Sequence, residues 1–383
     1  MQPIDNLHNS AMDLAEEAFI LKKQGNENKA KELFQKAMEL EQEAAEKLSL
    51  STDSEPTRSI LYRSAASLAY HYGDYETADR LVANGLAGYP PPEIREELKN
   101  LYEDINFLRH LSSKGIILDK NQWMMSISGD AISHGGTAAE YLLTRVEKVA
   151  TLFYRTVERL LKLPYRQHGG VSKDIKEAYG LYIKAFAPGS FTVSFQVGKP
   201  DPQLSMFPEL EQANKIEPDQ VVDEILECFD IFEKEESSVL KEKIKEDNYY
   251  ENFVALTKQI APDGNNVKMV GFTSVREGKD KPVALRKRRL DIKEFQKDKD
   301  IDESKEKQIS RTLTGILRHA NSPLSGKYGN VKLTEKDTHI THSIKVPISI
   351  MKDVVQPFYE ENVVIEVVEK KDVLYLEEIH LAG

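Results

Sequence analysis

"ILYRSAASLAYHYGDYETADRLVANGLAGYP", residues 60–90, places two short amphipathic segments on either side of a glycine turn. Apolar and small residues recur there at steps of three and four, the period of a helix with one buried face. They are Ala66, Ala69, Ala78, Val82 and Leu86, with Pro90 at the end. Because Gly73-Asp74-Tyr75 interrupts the pattern, we predict a hairpin of two helices.

Residues 11–50 repeat this arrangement around Gly25-Asn26. The periodic positions are Leu14, Ala18, Leu21, Ala30, Phe34, Ala37 and Leu40. The segment PPEIREELKNLYEDINFLRHL, residues 91–111, follows the second hairpin as a further amphipathic helix. The sequence therefore predicts an antiparallel helical-repeat bundle over residues 1–111, closed by a capping helix.

These two units resemble the tetratricopeptide repeat. GDYETA followed by VANGLAGYP is the closer match, and GNENKA followed by FQKAMELE matches without the closing proline. The spacing from Gly25 to Gly73 is longer than the family's unit of about 34 residues. Gly85 also stands where the family prefers alanine, and Leu14 replaces a large aromatic residue that Tyr62 supplies in the second unit.

The resemblance implies a helical groove that binds another protein. Small residues allow helices to approach closely, so we expect them to pack within and between the hairpins. These residues are Ala37, Ala65, Ala66, Ala69 and Ala78. A plain helical bundle that binds no partner remains open, because a fold does not by itself imply a function.

Composition limits the classes of partner. The chain has 383 residues and a net charge of -11, so as a whole it repels nucleic acid and anionic lipid. The lone Cys228 excludes an intramolecular disulfide and a cysteine-based zinc site. No secretory leader pattern and no run of about 18 apolar residues occurs. We therefore expect a cytoplasmic protein with no membrane contact and no cofactor.

Residues 115–290 have the element order of an α+β domain with an antiparallel sheet. WMMSISG predicts a strand, and a long amphipathic helix follows with a stripe of Leu142, Val146, Val149, Phe153, Val157 and Leu160. LYIKAFA and SFTVSFQV predict paired strands, and the alternation in the second predicts one solvated face. Helices are predicted near residues 219–246 and 248–260, before strands VKMVGFTSV and PVALRK.

A glycine-rich turn, SGDAISHGGTAAEYLL at residues 128–143, raises the question of a phosphate site. Dinucleotide sites belong to parallel βαβ units, and the glycine spacing does not fit their fingerprint. Thr137-Ala-Ala-Glu140 instead predicts a capping box at the start of the helix. On this interpretation the glycines only allow the chain to turn.

Four residues are the first to test if the central domain is an enzyme. His134 and His168 both precede paired glycines, Asp130 is a nearby acid, and Ser190 lies in a tight turn. Imidazole and carboxylate groups support acid and base chemistry, and a serine needs such a base as its partner. Their spacing fits no known zinc pattern, so we predict no metal site.

A concentrated basic run, LRKRRL at residues 285–290, contains Arg286, Lys287, Arg288 and Arg289. These cations are candidates for phosphate contacts in a nucleic-acid complex. No aromatic residue is interleaved for base stacking, and acids follow soon after. A solvated strand edge that leads into a linker is the alternative interpretation.

The remaining sequence predicts a charged linker over residues 291–309 and a small β-barrel over residues 310–383, of SH3-like or OB-like type. Its five strand segments are TLTGILRH, NVKLT, HITHSIKVP, NVVIEVV and VLYLEEI. A short helix, SIMKDVVQPFY, is predicted between the third and the fourth.

The leading functional prediction is a non-catalytic adaptor that binds a protein partner through its helical domain. The second hypothesis is a hydrolase or nuclease in the central domain, regulated by the helical arm. The third is a nucleic-acid binder that uses residues 286–289 and the barrel. The sequence leaves the oligomeric state open.

Overall fold

The chain is a mixed α and β protein with helices alone at its amino-terminal end and two β-sheets after them. It forms two compact units, Met1–Ile117 and Leu118–Gly383, each with its own hydrophobic core. The computed structural model describes residues 3–24, 26–113, 118, 121–129, 132, 137–184, 192–198, 216–264, 266–276, 279–287, 309–323 and 326–382.

Five helices build the first unit, and each packs on the next one in sequence. They are α1 (Ile4–Lys23), α2 (Glu27–Glu46), α3 (Thr57–Tyr72), α4 (Tyr75–Leu86) and α5 (Pro92–Ser113). The last of them, α5, also contacts α3. The helices that the three- and four-residue periodicity predicts are confirmed.

Small residues do occupy the contacts between these helices. The predicted set of Ala37, Ala65, Ala66, Ala69 and Ala78 is fully buried. A Cβ atom on Gly85 would lie 3.0 Å from Leu98 Cδ1 and 3.2 Å from the Cβ of Tyr62. The glycine that departs from the family pattern is therefore explained by a close approach of α4 to its neighbours.

The turn between α3 and α4 is fixed by its own side chains. Gly73 has a φ of +92°, which a residue with a Cβ adopts at a cost. Asp74 then accepts a hydrogen bond from the amide of Thr77 at 3.0 Å and another from the Tyr72 hydroxyl at 3.0 Å. Burial raises the pKa of Asp74, but hydrogen bonds from the Thr77 amide, the Thr77 side chain and Tyr72, together with the charge of Arg80, outweigh it and leave the pKa below its usual value.

An antiparallel five-stranded sheet forms the first part of the second unit, in the order β2-β3-β1-β4-β5. The strands are β1 (Gln122–Ser128), β2 (Leu181–Lys184), β3 (Thr192–Val197), β4 (Met269–Arg276) and β5 (Lys279–Leu285). The solvated face predicted for β3 is wrong: Thr192 and Gln196 are buried as well as Phe195. Both strands are interior in the sheet: β3 pairs with β2 and β1, and β1 pairs with β3 and β4.

Five helices accompany this sheet: α6 (Ala139–Leu160), α7 (Lys173–Ala178), α8 (Pro218–Glu233), α9 (Ser237–Lys243) and α10 (Asp247–Ile260). The predicted stripe of α6 is confirmed, with Val149, Phe153 and Val157 fully buried. The single helix predicted over residues 219–246 is wrong, because the chain breaks between α8 and α9. Glu235 lies at the break with a φ of +58°.

The second sheet contains β6 (Ile309–Asn321), β7 (Tyr328–Thr334), β8 (Thr341–Pro347), β9 (Asn362–Lys370) and β10 (Val373–Leu381). A short helical segment, residues 348–358, lies between β8 and β9. All five predicted strands and this helix are found where the sequence predicts them. The strand order β10-β8-β7-β6-β9 closes on itself because β9 also pairs with β10.

A continuous hydrophobic core runs through both sheets of the second unit, from Trp123 to Ile379. Helix α10 contributes to it and also packs on the helical segment 348–358. The division into domains 115–290 and 310–383 stays a prediction, and the linker over residues 291–309 lies outside the described residues except for Ile309. In the described part of the chain, none of the helices combines the length and the apolarity needed to cross a membrane.

Candidate functional site

The predicted catalytic residues fall mostly on undescribed parts of the chain. His134, Asp130 and Ser190 lie outside the described residues. His168 is described and exposed, in the loop after α6. Among the described residues, no group of three or more His, Cys, Asp or Glu side chains is arranged to hold a metal ion. The convergence of these four residues on one pocket stays a prediction.

The capping box predicted at Thr137 and Glu140 is wrong. Helix α6 begins at Ala139, and Ala138 is the residue that precedes it, with no side chain that caps the helix. The Oγ1 of Thr137 is buried, and within the described residues it has no hydrogen-bond partner. The chain therefore enters the helix one residue later than the capping motif requires.

Two glutamates, one at the end of α8 and one in the turn after it, bind the first half of the basic run. Glu233 accepts hydrogen bonds from the backbone amides of Arg286 and Lys287, at 3.2 and 3.5 Å. The Nζ of Lys287 lies 2.9 Å from the Oε2 of Glu235. Arg288 and Arg289 lie outside the described residues. A phosphate would have to compete with these carboxylates for the described part of the run.

Cys228 is the only thiol, and it lies in the core on α8. Burial raises the pKa of this thiol to about 12, and the neighbouring carboxylate of Glu224 acts in the same direction. The sequence interpretation of a buried cysteine is confirmed. The thiolate is the nucleophilic form, so the folded protein offers almost none of it at neutral pH.

We expect a thiol reagent to label Cys228 only as fast as the protein opens. In native buffer at pH 8 the reaction of Cys228 with a disulfide reagent should be slower by at least about 100-fold than in 6 M guanidinium. In the folded protein the reagent does not reach the thiol, and the thiol is not ionised. Absorbance of the released thiolate measures both rates. Rapid labelling of native protein would contradict this picture of the core around α8.

A buried polar cluster of the second unit centres on Arg155 of α6. Its guanidinium Nε and Nη2 both lie 2.7 Å from Oδ2 of Asp353, in the helical segment 348–358. Its Nη1 lies 3.2 Å from Glu158 and donates to the carbonyl of Arg166 at 2.8 Å. The side chains of Arg155, Glu158 and Asp353 are at most 7% exposed. We call this cluster the Arg155 junction.

Further hydrogen bonds join three elements at the Arg155 junction. The Nδ2 of Asn252, on α10, donates to the carbonyl of Ser349 at 2.9 Å and to Asp353 at 3.1 Å. The Tyr165 ring stacks below the Arg155 guanidinium, 4.4 Å from its centre. Lys148 donates to the carbonyl of Asp353 at 2.9 Å. The junction thus ties α6 and α10 to the segment that follows β8.

The Arg155 junction has the geometry of a structural connection and leaves no room for a substrate. The adjoining cavity measures about 10 Å³, close to the smallest volume that holds one water molecule. Burial lowers the pKa of Lys148, although the Glu147 and Asp353 carboxylates oppose that shift. Every charge on Arg155 and Glu158 is matched by an opposite charge within 3.2 Å.

A different kind of surface lies on the first unit, where α1 and α3 end. The ring of Phe19 contacts the rings of Phe34 and His71, with centroids 4.9 and 5.0 Å away. The His71 ring stacks on Phe34 at 5.6 Å and contacts Tyr70 at 5.7 Å. We call Phe19, Phe34, Tyr70 and His71 the aromatic patch, and the next residue of α1 after Phe19 is Ile20.

The aromatic patch extends from a buried ring in the core to a side chain that is exposed to solvent. Phe34 is fully buried, whereas Phe19 and Ile20 are 42% and 49% exposed. The Nζ of Lys22 lies 6.0 Å from the centre of the Phe34 ring. Neighbouring large apolar side chains that remain this exposed are typical of a surface that binds another molecule.

The helical periodicity marks Phe34 as a core position, whereas none of the sequence patterns singles out Phe19, Ile20, Tyr70 or His71. A sequence feature was present, since aromatic residues precede both glycine turns, as AFILKK before Gly25 and AYHY before Gly73. Their meeting depends on how two hairpins stack, which periodicity within one hairpin does not determine.

Comparison with known proteins yields no matching family model, no similar curated protein and no similar solved structure. The tetratricopeptide resemblance therefore rests on the residues of this chain alone.

Proposed function

We propose that the protein is a non-catalytic adaptor and that the first unit binds a protein partner at the aromatic patch. The observation that carries the proposal is the exposure of Phe19 beside the half-buried His71 ring and the buried Phe34 ring. A rigid ring that is partly exposed loses little conformational freedom when a partner covers it, which favours aromatic residues at binding surfaces.

The partner that suits this patch presents an aliphatic or aromatic side chain as an anchor. The half-buried His71 ring forms the base on which that anchor would rest, Phe34 supports His71 from the core, and Phe19 forms the side. Because Phe34 is fixed by burial, the site is formed before binding. The tetratricopeptide-like arrangement of the helices supports the same proposal, since stacked hairpins present continuous surfaces to partners.

The test is quantitative affinity capture from native cells with the full chain as bait. The double variant Phe19→Ala, Ile20→Ala should reduce recovery of the specific partner, because loss of central apolar anchors costs about 2 kcal/mol or roughly 30-fold in affinity. Leu50→Ala is the matched control, since Leu50 is also an exposed apolar residue of the first unit.

A partner that is captured equally by wild type and the double variant would contradict binding at the aromatic patch. Self-association of the chain that the double variant abolishes would replace the adaptor proposal by a homo-oligomer. Sedimentation velocity of the wild type and the variant separates these outcomes. Thermal melting of both proteins checks that the variant is folded.

A further inference from the structure

The outer surface of β7 and β8 collects basic side chains in an acidic protein. His319 on β6 lies opposite Lys332 on β7, and Lys332 lies opposite Ser343 on β8. Opposite residues of neighbouring strands share a face. All three are exposed, whereas the alternate residues Val331 and Ile344 are fully buried. This register places the polar residues together on the outside.

The same face continues toward the start of β7. Asn330 lies opposite Lys345, which is also paired with Tyr375 on β10. The Tyr375 ring contacts the Tyr328 ring at 5.4 Å in an edge-to-face arrangement. We call this surface the β7–β8 face, and it consists of Arg318, His319, Tyr328, Asn330, Lys332, Ser343, Lys345 and Tyr375.

The cations of this face differ from Lys287 of the basic run, because no carboxylate among the described residues is paired with them. Within the described residues, Arg318, Lys332 and Lys345 form no ion pair, whereas Lys287 is paired with Glu235. Carboxylates of this sheet border the face instead. Glu377 follows Tyr375 by two residues, and Glu335 at the end of β7 is bound by His342 at 3.0 Å.

We propose that the β7–β8 face binds single-stranded nucleic acid. Unpaired lysine and arginine side chains neutralise phosphates, and the two tyrosine rings offer surfaces on which bases stack. The amide of Asn330 and the hydroxyl of Ser343, joined by a hydrogen bond of 2.9 Å, supply groups that reach base edges. Stacking on a tyrosine ring needs an exposed base face, which favours unpaired strands over double-stranded DNA.

The experiment is a fluorescence anisotropy titration of labelled 20-nucleotide oligo(dT) and oligo(U) with the full chain, at several salt concentrations. Lys332→Glu, Lys345→Glu should weaken binding by at least about 10-fold. Loss of two phosphate contacts should also lower the slope of log affinity against log salt by about 1.4. Lys370→Glu, Lys371→Glu is the matched control, because both lysines are exposed and the change in net charge is identical.

The proposal is supported if only the first double variant loses affinity while both variants keep the wild-type melting temperature. It is overturned if the wild type does not bind, or if both variants weaken binding equally. Preference for duplex or for heparin over oligonucleotides overturns it as well. Loss of binding only on Arg288→Glu, Arg289→Glu would assign the contact to the basic run instead.

Discussion

Arg155→Ala should lower the free energy of unfolding of the second unit by about 3–5 kcal/mol, because it leaves Asp353 as a buried charge without its ion-pair partner and leaves Glu158 with Arg166 alone. Both carboxylates are at least 93% buried. The single tryptophan, Trp123, is fully buried in the same unit, so its emission reports the unfolding transition in urea. Arg155→Lys should recover little of the loss, since one ammonium cannot replace a planar fork.

Lys234→Ala is the control for this experiment. Lys234 forms an ion pair of similar length with Asp230, but both side chains are about half exposed. Water screens such a pair, so its removal should cost no more than about 1 kcal/mol. A cost below about 1 kcal/mol for Arg155→Ala would show that the junction relaxes or admits water, and would contradict its role as a connection.

Leu317→Ala should shift the same tryptophan transition, although Leu317 lies in the second sheet and Trp123 in the first. Leu317 is fully buried, and removing a buried leucine costs about 2–5 kcal/mol. Both residues belong to one hydrophobic core, and the Arg155 junction fixes the segment after β8 to α6 and α10. We therefore expect one cooperative transition for both sheets.

This result would distinguish one folding unit from two domains. If residues 310–383 fold independently, Leu317→Ala leaves the tryptophan transition unchanged and lowers only a second transition seen by circular dichroism. Leu381→Ala controls for the loss of a leucine, because Leu381 is 55% exposed at the end of β10. We expect it to change the unfolding free energy by less than about 0.5 kcal/mol.

Local periodicity predicts elements well where one face of an element is buried. The stripe of α6, the alanine positions of the first unit and the five strands of the second sheet all lie where the pattern places them. The errors occur where a local rule competes with the surroundings. Thr137 and Glu140 fit a capping box, yet α6 begins at Ala139, and Glu235 divides a periodic stretch into two helices.

The candidate sites were less predictable, because each combines residues that are distant in sequence. Arg155 and Asp353 belong to segments that the sequence analysis treated as different domains, and neither was singled out. Phe19 and His71 come from different hairpins. No single residue of the β7–β8 face indicates a binding site. A lysine within a strand segment such as NVKLT predicts only that its side chain points outward.

By itself the sequence determined the type of most elements and the inward face of each, because helix and strand periods are properties of neighbouring residues. It also determined that Cys228 has no thiol partner and that the chain carries excess negative charge. Only the tertiary structure decided which distant residues come together: Arg155 contacts Asp353, Phe19 contacts His71, and Lys345 lies opposite Tyr375 in the strand register. Such contacts depend on packing and strand register across many intervening residues, and no local pattern encodes them.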